Sequence, residues 1–87
     1  MKQGISESEF IALFRTFHQS VKNFVFYKTG DMDLAEDIMQ DVFLKFWEKR
    51  GEIRLATAKT LLYTIAGNLS KNRLEHRHED RGGRPRH

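Results

Sequence analysis

The sequence contains no cysteine, only one proline and no long apolar run. The absence of cysteine excludes disulfide bonds and thiolate zinc sites, and it is typical of a reducing compartment. No segment approaches the roughly 20 apolar residues that span a bilayer, and the N-terminus does not resemble a signal peptide. We therefore expect no membrane insertion and a cytoplasmic location. A length of 87 residues allows only one small domain.

Sequence patterns typical of enzymes are also missing. The chain has no glycine-rich dinucleotide loop, no Walker loop and no nucleophile elbow. Glu36, Asp37 and Asp41 have a spacing that could suit a metal on a helix, but no histidine accompanies them. We expect neither enzymatic activity nor a cofactor or metal site.

Charge is unevenly distributed along the chain. Residues 1–48 contain five Lys/Arg and eight Asp/Glu, or −3, whereas residues 49–87 contain ten and four, or +6. The two halves are therefore expected to meet different partners. A phosphate backbone would suit the basic half, although solubility alone would also explain its charge.

The first predicted helix has clear signals at both ends. Ser6 and Glu9 form a capping box, and Ile5 and Phe10 have the spacing of a hydrophobic staple. Gly30 is the expected left-handed stop. Between them, one apolar stripe is predicted to enter the core, formed by Phe10, Leu13, Phe14, Phe17, Val21, Phe24 and Val25.

Two more helices follow. Asp33 is the expected N-cap of the second, which should end at Arg50-Gly51. Thr57 is the expected N-cap of the third, which should run to about Arg77. Its apolar stripe comprises Ala58, Leu61, Leu62, Ile65, Ala66 and Leu69.

These helices predict an all-α fold, a small bundle of three principal helices with room for a short extra helical turn. The domain should comprise residues 1–77. Residues 78–87, rich in glycine and arginine, should form a flexible basic linker or tail.

The second helix has two different faces. Its predicted core stripe comprises Ala35, Ile38, Met39, Val42 and Phe46, with Phe43 at the edge. The opposite side carries Asp37, Gln40, Asp41, Leu44 and Glu48, flanked by Trp47. One interpretation is that Leu44 and Trp47 cover a neighbouring helix of the same domain. The alternative is that they form an apolar anchor, surrounded by acidic and amide groups, that docks on a basic partner.

The third helix presents a different outer face, with one aromatic ring and hydroxyl, amide and ammonium groups. Tyr63, Asn68, Lys71 and Arg73, with Arg54 in the preceding loop, could stack on bases, bind base edges and neutralise phosphates. Thr64 lies on the same face. The alternative is an ordinary solvated helix face.

Two motifs carry a family resemblance. The stretch AEDIMQDVFLKFWEKR resembles conserved region two of bacterial sigma factors of the extracytoplasmic-function class, with landmarks at Ala35, Glu36, Asp37, Gln40, Asp41, Phe43 and Trp47. Further along, LLYTIAGN at residues 61–68 resembles the promoter-reading helix of the same family. The resemblance covers approximately residues 10–77.

The resemblance implies partners for both helices. It implies that the second helix docks on the clamp helices of the RNA polymerase core through Asp37, Gln40, Asp41, Phe43 and Trp47, and Leu44 is outward-facing beside them. It implies that the third helix and the preceding loop recognise the promoter −10 element and hold its melted non-template strand. On that helix Asn68 matches the family asparagine, and the pair Lys71-Asn72 matches some members. An anti-sigma factor is a further candidate partner.

Two residues depart from the family pattern. Gly67 stands where many members have arginine, and Glu75 stands where a basic residue is common. The family also carries a second DNA-binding domain, so we expect weak promoter binding by this chain alone. Two other functions stay open: a decoy that docks without productive DNA contact, and a general basic helical DNA-binding or regulator-binding module.

Overall fold

The computed structural model describes the backbone of residues 4–81 and the side chains of residues 4–75. Within that range the chain forms helix α1 (Glu7–Thr29), helix α2 (Met32–Glu48) and helix α3 (Ala58–Arg81). Two 3-10 turns, Arg50–Glu52 and Leu55–Thr57, connect α2 to α3. The all-α prediction is confirmed, and these turns occupy the place of the extra helical turn.

Helix α1 begins and ends as the sequence predicts. The Ser6 hydroxyl accepts a hydrogen bond from the Glu9 amide at 3.1 Å, and the Ser6 amide donates to the Glu9 carboxylate at 2.9 Å. At the other end Gly30 has φ 72°, and its amide donates to the carbonyl of Phe26. A residue with a side chain would be strained in this conformation, so glycine defines the stop.

The predicted cap of α2 is wrong by two residues. Asp31, not Asp33, accepts the hydrogen bond from the Leu34 amide, at 3.0 Å. The left-handed turn at Gly30 reverses the chain so sharply that the next helix starts after a single extended residue. Asp33 lies in the first turn, where its carboxylate interacts favourably with the positive end of the helix dipole.

The other end of α2 also differs from the prediction. The helix ends at Glu48, Lys49 follows with φ −102°, and Gly51 lies in a 3-10 turn without a positive φ. Gly51 is therefore not a left-handed helix stop, because the chain tightens into 3-10 geometry.

Helix α3 starts immediately after Thr57, as predicted. The Thr57 hydroxyl donates to the carbonyl of Arg54 at 3.3 Å, a contact within the 3-10 turn that precedes the helix. The helix continues to Arg81, beyond the predicted end at Arg77. Two consecutive glycines and the proline of the sequence follow only after Arg81, and these residues disfavour a helix. The rest of the predicted tail, 82–87, lies outside the described residues.

The core is centred on α2. Every residue of its predicted stripe is buried, including Phe46, which is fully inaccessible. Helix α1 contributes the fully buried Val21 and Val25, while its predicted phenylalanines are only half-buried and pack against the core from outside. A bundle of three helices has too little interior to cover every aromatic ring.

Three core residues fall outside the predicted stripes: Ile5, which was predicted only as part of the hydrophobic staple, Ile53 and Ser70. Ile53 is buried and anchors the loop between α2 and α3. Ser70 is fully buried on α3, where its hydroxyl donates to the carbonyl of Ala66 at 2.7 Å. This bond within the helix satisfies the hydroxyl and lets a polar residue occupy the core.

Candidate docking and nucleic-acid surfaces

The face of α2 that points away from the core has the predicted composition. Asp37 and Gln40 are exposed, the Asp41 side chain is 41% accessible, and Leu44 is 55% accessible. Packing of the opposite stripe determines this orientation. The face therefore combines acidic groups, an amide and an exposed apolar side chain in about two helical turns.

One edge of this face is tied to α1. The Lys22 ammonium donates to the Glu36 carboxylate at 3.2 Å, and the Gln40 amide donates to the same carboxylate at 3.3 Å. These two hydrogen bonds and the nearby positive charge lower the pKa of Glu36 below its ordinary value. Gln40 is thereby oriented, with its carbonyl oxygen available at the exposed surface.

Trp47 is half-buried between two groups. The Phe10 ring meets the indole edge-on, with centroids 4.9 Å apart, and the Arg50 guanidinium carbon lies 3.6 Å from the ring centroid. Arg50 also donates to the Trp47 carbonyl at 2.8 Å. The indole is held in a fixed orientation with part of its surface accessible, so it serves the fold and remains available to a partner.

A groove of about 410 Å³ runs between α1 and α2 beside Trp47. Its lining comprises Phe10, Ile11, Phe14, Gln40, Phe43, Leu44 and Trp47. Phe43 differs from the other residues that the resemblance implies as contacts, because it lies at the edge of the core stripe and only 3% of it is accessible. Its ring packs edge-on against Phe10 and Phe14 and forms the floor of the groove.

One ion pair joins two residues that were predicted from the sequence to contact different partners. Arg73 of α3 forms an ion pair with Asp41 of α2, and both side chains remain partly accessible. The pair lies in a second groove, of about 350 Å³, between these helices. The residues are 32 positions apart, so no local sequence pattern could have predicted the contact.

The remaining predicted nucleic-acid residues of α3 share its outer side. Thr64, Asn68, Lys71 and Asn72 are exposed. Tyr63 is only half-buried, and its ring meets Phe24 of α1 edge-on with centroids 5.2 Å apart. Tyr63 therefore presents part of its ring and lies at the seam between α1 and α3.

The loop before α3 is fixed at several points. Arg54 is exposed, while Ile53 next to it is buried. The Ile5 amide donates to the Arg50 carbonyl at 2.9 Å, and a Cβ at Gly4 would lie 3.0 Å from that oxygen. This close approach of the N-terminal segment favours glycine at position 4 and holds the loop against the bundle.

The described part of the chain holds no group of three His, Cys, Asp or Glu side chains arranged for a metal ion. Among the described residues, no helix is both long and apolar enough to cross a membrane. The histidines near the C-terminus lie outside the residues whose side chains are described.

These features define a small helical domain with an acidic outer face and a basic, amide-rich outer face on separate helices. The sequence model of the family Sigma-70 region 2 matches residues 13–79, and the chain belongs to this family. The identification made from the two motifs is thereby confirmed. Sigma factors are non-enzymatic proteins of transcription initiation.

A curated relative supports the assignment. The chain is 34% identical over 55 residues to RNA polymerase sigma factor YlaC of Bacillus subtilis strain 168. The matched segment covers 62% of this chain and 32% of the relative, so it corresponds to about a third of the relative's length. No solved structure matches the chain.

Proposed function

We propose that this domain docks an alternative sigma factor on the RNA polymerase core through α2 and recognises the promoter −10 element through α3. The observation that carries the proposal is the outward acidic face of α2, with Asp37, Gln40 and Leu44 exposed directly behind a fully buried stripe. A helix with one inner face and one such outer face can bind a large partner without losing its own core.

Docking would use the exposed face and the apolar groove beside it. Leu44 and the accessible part of Trp47 supply apolar contact area, while Asp37 and the Gln40 carbonyl accept hydrogen bonds from a basic coiled coil such as the clamp helices. An anti-sigma factor would compete for polymerase by covering the same face.

Promoter opening would then be a binding reaction. A flipped base of the non-template −10 strand would be held by the accessible part of Tyr63 and by the Asn68 amide, with Lys71 and Arg54 on phosphates. Thr64 and Asn72 add hydrogen-bonding groups on the same side. Capture of unstacked bases offsets an opening cost of a few kcal/mol and shifts the duplex towards the melted state.

A crossed pair of variants tests the proposal. Gln40→Ala with Asp37→Ala should weaken capture by core polymerase or by a clamp-helix fragment, and leave binding to the −10 non-template oligonucleotide unchanged. Asn68→Ala should leave capture by polymerase unchanged and weaken binding to the oligonucleotide about five-fold, the size expected for one lost hydrogen bond.

The matched control is Asp33→Ala, which removes an exposed carboxylate at the start of the same helix. Equal polymerase binding by the parent and the Asp37→Ala, Gln40→Ala variant would overturn the docking assignment. Binding of single-stranded and duplex DNA with equal affinity would favour the general DNA-binding alternative.

A further inference from the structure

The surfaces of α1 and α3 share an electrostatic feature that the proposed function leaves unused. The sequence has no Asp or Glu from Phe10 to Thr29 and none from Ile53 to Leu74. Five of the acidic residues lie on α2 instead. The side of the bundle where α1 meets α3 is therefore free of carboxylates over most of its length, which suits a polyanion.

Direct contacts show how the seam between α1 and α3 is built. Phe24 of α1 packs edge-on against Tyr63 of α3, and the Lys28 ammonium lies 5.1 Å from the centroid of the Phe24 ring. Nearer the start of α3, the Lys59 ammonium lies 5.9 Å from the Phe17 ring. The seam thus contains half-exposed aromatic rings from both helices, with one lysine near each end.

Helix α1 continues this surface beyond the seam. Tyr27 lies about 60° round the helix from Phe24, on the flank that borders α3. The residues one, two and three turns before Tyr27 on this flank are uncharged hydrogen-bonding residues, Asn23, Ser20 and Thr16, and all are exposed. Tyr27 itself is 90% accessible, and so large an exposure is unusual for an aromatic side chain.

We propose that the single-stranded DNA site crosses from α3 onto α1, with Tyr27 stacking on a base and Lys28 contacting a phosphate. The proposal rests on the proposed function and extends its binding site to a second helix. It commits to single-stranded DNA because the unstacked bases of a single strand present their faces to an exposed ring, and a carboxylate-free surface with lysines suits the phosphates. Asn23 would contribute its amide beside Tyr27.

The stacking contact is tested with Tyr27→Ala, measured as the affinity of the whole chain for a fluorescent −10 non-template oligonucleotide. We expect about five-fold or greater weakening for Tyr27→Ala and near-parental binding for Tyr27→Phe, which keeps the ring. Phe26→Ala is the matched control: it removes an exposed aromatic next to Tyr27, about 200° round α1 from Phe24. Its affinity should equal that of the parent.

The phosphate contact is tested with Lys28→Gln against Arg15→Gln. Both variants remove one positive charge from an exposed side chain of α1, but Arg15 lies on the side away from α3. Lys28→Gln should reduce the slope of log affinity against log salt concentration by about 0.7, the value for one phosphate of a single strand. Arg15→Gln should leave the slope unchanged.

Asn68→Ala, measured in parallel, separates this proposal from the proposed function. Weaker binding by Asn68→Ala with unchanged binding by Tyr27→Ala and Lys28→Gln would confine the site to α3 and overturn the inference alone. Unchanged binding by all three variants would overturn the proposed DNA function as well.

Discussion

Helices α2 and α3 are packed against each other and expose opposite kinds of surface. Outside its buried stripe α2 carries carboxylates, an amide and the 55% accessible Leu44. Outside its own stripe α3 carries hydroxyl, amide and ammonium groups, with no acid before Glu75. In a three-helix bundle each helix buries only one side, so each outer side is free to have its own partner.

The ion pair between Asp41 and Arg73 is the exception to this division, because it joins the two faces. A partner that binds Asp41 on α2 would release Arg73 on α3, and DNA that binds Arg73 would release Asp41. The outer faces of α2 and α3 therefore differ in composition but are linked by the Asp41–Arg73 ion pair.

The largest effect is expected from truncating a core residue of α2, because the core supports both outer faces. Phe46 is fully buried, so Phe46→Ala should lower the free energy of unfolding by about 3–5 kcal/mol. This is a large part of the stability of so small a domain, and both proposed binding activities should weaken together.

The measurement is urea unfolding followed by circular dichroism, with Leu44→Ala as the control. Leu44 is 55% accessible, and its truncation should change stability by less than about 0.5 kcal/mol. Equal effects of the two variants would contradict the assignment of inner and outer sides of α2.

A smaller effect of the opposite sign is expected at Gly67. A Cβ at this position would meet no atom within 4 Å, so the glycine is not required by packing. Gly67→Ala should raise the free energy of unfolding by about 0.5–1 kcal/mol, because alanine favours the helix. Gly67→Arg should also fold. It should bind the −10 oligonucleotide more tightly, because it adds a positive charge to the outer face of α3.

Urea unfolding checks the stability, and titrations at several salt concentrations check the added phosphate contact. A destabilised Gly67→Ala would show that the backbone of α3 needs glycine here, and a Gly67→Arg variant with unchanged DNA affinity would place this position outside the DNA site.

The link between the two faces should contribute little to stability. Both members of the Asp41–Arg73 pair are more than a third accessible, and exposed pairs contribute about 0–1 kcal/mol. A double-mutant cycle with Asp41→Asn and Arg73→Gln should give a coupling in that range, decreasing with added salt. A coupling that is much larger, or insensitive to salt, would contradict the description of this pair as a screened surface contact.

The smallest predicted effect is a pH dependence at the edge of the α2 face. The pKa of Glu36 is lowered in the folded chain by the hydrogen bond from Lys22. The stabilisation from this pair is therefore present above the unfolded pKa of Glu36 and is lost as pH falls through the lower, folded value.

A carboxyl-carbon NMR titration should give a Glu36 midpoint below the ordinary glutamate value, and Lys22→Gln should move it upward. Equal midpoints in parent and variant would show that Lys22 does not act on Glu36 in solution.

Features set by short-range pattern were predictable from the sequence. The capping box at Ser6, the stop at Gly30 and the whole core stripe of α2 depend on residues within a few positions of one another. The N-cap of α2 was misplaced because Asp31 and Asp33 are both good caps, and only the left-handed turn at Gly30 determines which of them starts the helix.

Contacts between helices could not be predicted in the same way. The ion pair of Asp41 with Arg73 and the packing of Tyr63 against Phe24 depend on how α3 crosses the other helices. Burial of Ile53 and Ser70 likewise depends on the route of the loop and the rotation of α3. Helical periodicity fixes which side of a helix is apolar, but not which residue of a neighbour it meets.

The most direct test of the central claim is an NMR titration of the isotope-labelled chain with a clamp-helix fragment of RNA polymerase. The account predicts that amide signals shift along the outer side of α2, around Asp37, Gln40 and Leu44, and at Trp47, while Asn68 and Lys71 of α3 keep their positions. Shifts confined to α3, or none at saturating fragment, would contradict it.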